Sequence, residues 1–204
     1  NSKQIINEGK KYNIIELIGT IGRLDKVILG TIDPSLLAVF HIGQRFPRLI
    51  KDNMKIFITP FIMTWGKLSR EEHLSKLRKN FFNFFFIGIL IFAISGIVSA
   101  VFIPLIFGSN YEKSILISLL LSLIIISKPL SAMILDFDTV QDKGINYTYL
   151  MSFLPVLYIF LIFFLIPKYD VMGIVSSQII VNIFANIAIA IFIFKGGYLK
   201  KCEQ

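Results

Sequence analysis

Residues 35–64 read SLLAVFHIGQRFPRLIKDNMKIFITPFIMT, a run long enough to cross a bilayer that nonetheless carries Arg45, Arg48, Lys51 and Lys55 through its middle. At 3.6 residues per helical turn, His41, Gln44, Arg45, Arg48, Lys51, Asp52, Lys55 and Thr59 fall within roughly a third of the circumference. Val39, Ile42, Phe46, Leu49, Ile50, Met54, Ile56 and Phe57 occupy the other side. Turned toward lipid, the four cations would cost about 10 kcal/mol or more at mid-membrane, against about 5 kcal/mol gained by the apolar side. The charged stripe therefore needs water, an anion or other protein. Two arrangements meet that need: a helix lying on a membrane surface with its Lys and Arg among the headgroups, or a span whose wet side lines a cavity.

The rest of the chain favours the span. Of 204 residues 55% are hydrophobic and 20 are Phe, with a mean hydropathy of +0.73, which belongs to a polytopic membrane protein and not to a soluble domain. Four further runs are apolar enough to cross: about 81–107, 114–135, 146–166 and 171–194. A sixth, about 12–32, resembles the quoted stretch in having one wet face, formed by Tyr12, Glu16, Gly19, Thr20, Arg23 and Lys26. The expected fold is an all-α integral membrane protein of six transmembrane helices, with residues 1–11 as a polar leading segment, 12–194 as the helical lobe and 195–204 as a tail. The chain begins at Asn1, which suggests a fragment or a trimmed N-terminus.

The net charge of +8 is a topology signal more than a nucleic-acid one, because most Lys and Arg sit at the ends of apolar runs. With six spans, one side collects Lys3, Lys10, Lys11, the five cations of the 65–80 loop, Lys143, Lys195, Lys200 and Lys201. The other holds only Lys113 and Lys168. That bias puts both ends in the cytoplasm, and it requires residues 12–32 and 36–64 both to span or both not to.

Local signals punctuate this order. Asp33-Pro34 starts a helix, Ser69-Arg70-Glu71-Glu72 is a capping box, and His73 beside it reads as a solvated loop histidine. Gly88, Ser95, Gly96, Ser99 and Ala100 offer a small-residue face, and Ser114, Ser118 and Ser122 another. Lys128-Pro129 lies within an apolar run, so the lysine needs a partner or water. Gln178, Asn182 and Asn186 at spacing four read as hydrogen-bonding glue between helices. The 136–144 loop lacks the ligand pattern of a calcium site.

No hydrolase elbow, H-E-x-x-H, Walker A or dinucleotide glycine pattern occurs, and the single cysteine, Cys202, forms no metal cluster. No catalytic residue, metal or cofactor is expected, and the chain reads as a non-enzyme. What remains is a bundle with two wet helix faces. Arg45, Arg48, Lys51, Lys55, Arg23 and Lys26 make such a cavity cationic, with Glu16 and Asp52 offsetting part of the charge and Gln44 adding a neutral polar group. Such a cavity suits an anion, diphosphate above all, because guanidinium groups meet phosphate oxygens two at a time. Internal compensation competes with this reading, since Arg48 and Asp52 stand at i, i+4.

In order and spacing, GRLDKVILGTIDPSLLAVFHIGQR, WGKLSREEHLSKLRKNF, IPLIFGSNYEKS and FLIPKYDVMGIVSSQII resemble the C-terminal half of Wzx-type polysaccharide and O-antigen flippases. These belong to the multidrug/oligosaccharidyl-lipid/polysaccharide (MOP) exporter superfamily. Asp170 stands where that family usually has glycine, a turn position that Asp tolerates. The resemblance implies one six-helix lobe of a MATE-like transporter, paired with a second, N-terminal lobe around a central cavity. It also implies a bacterial inner-membrane location, alternating access, and a polyprenyl-diphosphate-linked oligosaccharide as substrate, with polysaccharide-assembly proteins as further partners. It aligns Arg23, Asp25 and Lys26 with a charged element of the seventh helix and Arg45 and Arg48 with cavity-facing charges of the eighth. Lys51, Lys55 and Lys128 rest on periodicity alone. Gly43, Pro47 and Pro129 are expected hinges. A drug/cation antiporter of the same superfamily and a non-transporting membrane scaffold built on the 65–80 loop are the alternatives.

Overall fold

A computed structural model describes residues 24–65, 68–140 and 153–195. Every element in them is helical, with no strand among the described residues: α1 (Leu24–Ile32), α2 (Pro34–Asn53), α3 (Lys55–Trp65), α4 (Arg70–Lys79), α5 (Phe81–Phe107), α6 (Glu112–Ser122), α7 (Lys128–Val140) and α8 (Leu154–Lys195), with short 3₁₀ turns at Ser109–Tyr111 and Leu123–Ile125. Phe81–Phe107 and Leu154–Ile191 are long and apolar enough to cross a membrane. The bent pair Ser109–Ile125 and Lys128–Ile134 is a third candidate. At 1.5 Å per residue α5 is about 40 Å long, and Phe82, Phe86, Leu90, Ile94, Ile97, Val101 and Leu105 are all exposed along it. A continuous apolar band of that length is suited to hydrocarbon, because helices satisfy their own backbone there.

The helix starts follow from local chemistry. Asp33 caps α2, its Oδ1 accepting from the Ser35 amide at 2.7 Å with Pro34 in the first turn. Those bonds, the Ser35 hydroxyl foremost, hold its carboxyl below the ordinary range. Ser69 and Glu72 close the capping box of α4 reciprocally, and the Ser69 amide and hydroxyl lower the Glu72 carboxyl likewise. Gly108 ends α5 at φ 85°, a left-handed position that favours glycine.

Two runs depart in part from expectation, while the bend expected at Pro129 is present. The run 36–64 is two helices, α2 and α3, separated at Met54, and α2 passes unbroken through Pro47. The run 114–135 bends by 40° at residues 126–127. Pro129 accounts for the bend: it has no N–H to give the Ile125 carbonyl one turn back, and its ring crowds that carbonyl. The helix then continues past 135 to Val140.

Residues 154–195 are helical almost throughout, yet they double back. Gln178 Nε2 lies 3.1 Å from the Tyr158 hydroxyl, whereas twenty residues of straight helix would put them about 30 Å apart. The reversal is at Asp170, whose φ of 49° and ψ of −128° are not helical. Asp tolerates that conformation better than most side chains. A Cβ on Gly173 would overlap the Leu165 backbone, so the two arms close tightly beside the turn. The turn expected at 167–170 is therefore present.

Two apolar clusters hold the bundle. One joins Leu29, Phe40, Ile117, Ile162, Ile166 and Ile174. The other joins Met54, Ile58, Leu77, Phe84, Met133, Ile134 and Ile193. His73 belongs with the second and is a correction to the reading from sequence: it is 2% exposed, 5.9 Å edge-on from Trp65. The apolar face of α4 docks onto the bundle and takes the imidazole with it. Burial pushes its pKa down to about 4, only partly opposed by hydrogen bonding to the Trp65 and Met133 backbone.

Candidate functional site

Where the two clusters meet, a cleft of about 910 Å³ opens between α2, the α6–α7 bend and both arms of α8. Its position follows from how α2 packs. Phe40, Gly43 and Pro47 form the buried edge of α2, against α6. A Cβ on Gly43 would lie 2.7 Å from Ile117 Cγ2, and the Ser114 hydroxyl donates to the Val39 carbonyl at 2.8 Å. Gly43 is thus a point of closest approach rather than a visible bend. With that edge fixed, helical periodicity turns Gln44, Arg48, Lys51 and Asp52 toward the cleft.

Lys26, Arg48, Lys51 and Lys128 are its cations, and Asp25 and Asp52 its carboxylates. Both carboxylates are engaged. Asp52 pairs with Arg48 at 3.6 Å, side chains more than half exposed, so the internal compensation expected at i, i+4 exists, at the modest strength of an exposed pair. Asp25 is buried, 4% exposed, and accepts from the Tyr158 hydroxyl at 2.8 Å and from the Lys26 amide at 2.8 Å. Gln178 donates to the same Tyr158 hydroxyl. This chain of three residues ties α1 to both arms of α8.

Arg45 lies apart from the cleft lining: its guanidinium sits 5.8 Å from the Phe107 ring centroid, on the exposed side of α2. The stripe of 35–64 is therefore divided, with Arg48, Lys51 and Asp52 in the cleft and His41 and Arg45 outside it. Lys55 is described in its backbone only, and Glu16 and Arg23 lie outside the described residues. Of the three expected hinges, Pro129 adjoins the observed bend, and Pro47 lines the cleft within an uninterrupted helix.

Sequence reasoning missed Tyr158, Ser127 and Ser131 as lining residues, and assigned Gln178, Asn182 and Asn186 to packing. All three amides face the cleft, and the Asn186 side-chain oxygen is buried with no hydrogen-bond partner among the described residues. Their spacing of four was the available signal. Nothing local marks Tyr158 within its run of aromatic and aliphatic residues. Among the described residues no group of His, Cys, Asp or Glu is arranged to hold a metal.

The cleft therefore offers an excess of positive charge, with hydroxyl and amide donors around it, to a ligand of complementary sign. Comparison with protein-family models, with curated proteins and with solved structures returned no match.

Proposed function

We propose that the chain is a six-helix lobe of a MATE-like, MOP-type transporter. It moves a polyprenyl-diphosphate-linked oligosaccharide, a unit of O-antigen, capsule or a related surface polysaccharide, from the cytoplasmic to the outer leaflet by alternating access. A second lobe faces it across the cavity. The location that goes with this reading is a bacterial inner membrane with residues 1–11 and 195–204 cytoplasmic, as the Lys and Arg bias demands. The 154–195 hairpin and the bent run around Pro129 support this reading as candidates for three of its crossings. The proposed role is transport, without catalysis.

The observation that carries the reading is the charge balance of the cleft: four cations against two carboxylates that already have partners. A lipid-linked sugar offers a diphosphate for the cations, which bind phosphate through charge-assisted hydrogen bonds, and hydroxyls for Gln178, Asn182 and Asn186.

The test replaces Arg48 and Lys51 together by Gln in the full-length protein in its own cells, with Lys113→Gln as control because Lys113 is exposed and remote from the cleft. Surface polysaccharide is expected to disappear in the double variant and persist in the control, with both proteins present in membranes at equal level. Normal polysaccharide in the double variant would sink the proposal. The buried Asp25 favours one other reading, a drug/cation antiporter, for which Asp25→Asn would abolish cation-driven efflux while the Arg48/Lys51 variant left it intact.

A further inference from the structure

Of the four cleft cations, only Arg48 has an ion pair among the described residues, with Asp52 at 3.6 Å. Lys51, in the last turn of α2, and Lys128, the first residue of α7, both line the cleft. Among the described residues neither has an ion-pair partner. Two ammonium groups that face one cleft from different helices repel each other, unless something negative sits between them.

The surrounding backbone adds to the demand. The 40° bend places the start of α7 at the cleft wall. Although Pro129 supplies no amide, the start of α7 carries the positive end of the helix dipole. Ser127, immediately before, lines the same wall. Lys128 is also held in place: a Cβ on Gly88 of α5 would overlap the Ile126 backbone, so α5 clamps the bend directly behind it. The repulsion is therefore not relieved by moving the bend toward α5.

We infer that Lys51 and Lys128 are the two sides of a binding site for a phosphate-type oxyanion, closed from α2 on one side and the start of α7 on the other. The inference rests on reading the cleft as one that takes an anionic ligand, and it names the place within it. The occupant is a group with charged oxygens on opposite sides, as in a phosphate monoester or a diphosphate, because a single carboxylate presents both oxygens to the same side. Arg48 lies one turn away on α2 and contributes less, since Asp52 already occupies it.

The test follows thermal unfolding of the purified full-length protein in detergent, titrated with inorganic diphosphate at constant ionic strength. The wild type and Lys113→Gln should show a saturable rise in Tm. Lys51→Gln and Lys128→Gln should each weaken the apparent affinity by at least about tenfold, while Lys51→Arg and Lys128→Arg retain it. Without diphosphate, neither Gln variant should unfold below the wild type, because each removes a repulsion; a merely structural lysine would lower Tm. In nanodiscs of phosphatidylcholine, added phosphatidic acid should compete with diphosphate for the wild type, marking a lipid headgroup as the source, and its failure to compete would mark a soluble phosphate. Wild-type affinity in both Gln variants, or no saturable effect in the wild type, overturns the site. Loss of diphosphate binding in both variants with surface polysaccharide unchanged would keep the site and reject the transport reading. Retained binding alongside lost polysaccharide would do the reverse.

Discussion

The seam between α5 and α6 and the cleft between α2 and α7 both put polar residues inside an apolar bundle, and they treat them in opposite ways. In the seam, Ser95 meets Ser122 at 2.7 Å and Ser99 meets Ser118 at 2.6 Å; Ser99 and Ser122 also bond the carbonyls of Ser95 and Ser118. All four are fully buried. Short hydroxyls at spacing four bring the backbones together, satisfy one another and leave nothing for a ligand. In the cleft, long cations stand apart around open volume, and among the described residues only Arg48 has an ion pair. Small polar residues in a span thus build the scaffold, whereas long charged ones require space and a ligand. The comparison can be broken at either region.

The largest effect belongs to the seam. Gly88→Val places side-chain atoms where the Ile126 backbone lies, and neither a helix backbone nor the Pro129 bend can yield by rotamer change. Overpacking of this kind costs about 3 kcal/mol or more. The variant should elute as an aggregate on size exclusion in detergent under conditions where the wild type is monodisperse. A monodisperse Gly88→Val protein would mean that α5 does not clamp the bend.

The next effect lies at the edge of the cleft. Tyr158→Phe removes the hydroxyl that both Asp25 and Gln178 use and leaves a buried carboxylate oxygen with one partner fewer, a loss of about 1–3 kcal/mol. It should lower Tm by several degrees and be additive with Gly96→Ala, whose Cβ would meet Leu119 and none of Asp25, Tyr158 and Gln178. An unchanged Tm would show that water reaches Asp25 and that the chain from α1 to α8 is not structural.

The seam was legible in the sequence because it is local twice over: each set of serines repeats at a helical spacing, and the α5–α6 connection is short enough to make the two helices antiparallel neighbours. The Asp170 turn, the α4 capping box and the Asp33-Pro34 helix start were legible for the same reason. The cleft was only half legible. Periodicity identifies a stripe, but which members face inward depends on where Gly43 and Phe40 lock onto α6, a tertiary fact that turns Arg48 and Lys51 in and leaves Arg45 over Phe107. Tyr158 was invisible because its role is created by Asp25, 133 residues away. His73 was misread because an imidazole in a polar run reads as solvated until the docking of α4 is known, and the break at Met54 has no proline or glycine to announce it.

The smallest effect is the most discriminating for the comparison. Removing both hydroxyls of one seam pair, Ser99→Ala with Ser118→Ala, takes donor and acceptor away together and leaves no buried polar group unsatisfied, apart from the Ser95 carbonyl, which keeps its helical bond. Side-chain hydrogen bonds between membrane helices contribute about 0.6 kcal/mol on average, because the separated helices also find partners, and removal of both partners is often close to neutral. The double variant should therefore unfold within about 1 kcal/mol of the wild type in a denaturing-detergent titration, and its response to diphosphate should be unchanged. A loss of about 2 kcal/mol or more would mean that the four serines act as one cooperative network. A changed diphosphate response would mean that the seam sets the bend and, through Lys128, the cleft, so that the two regions are a single device.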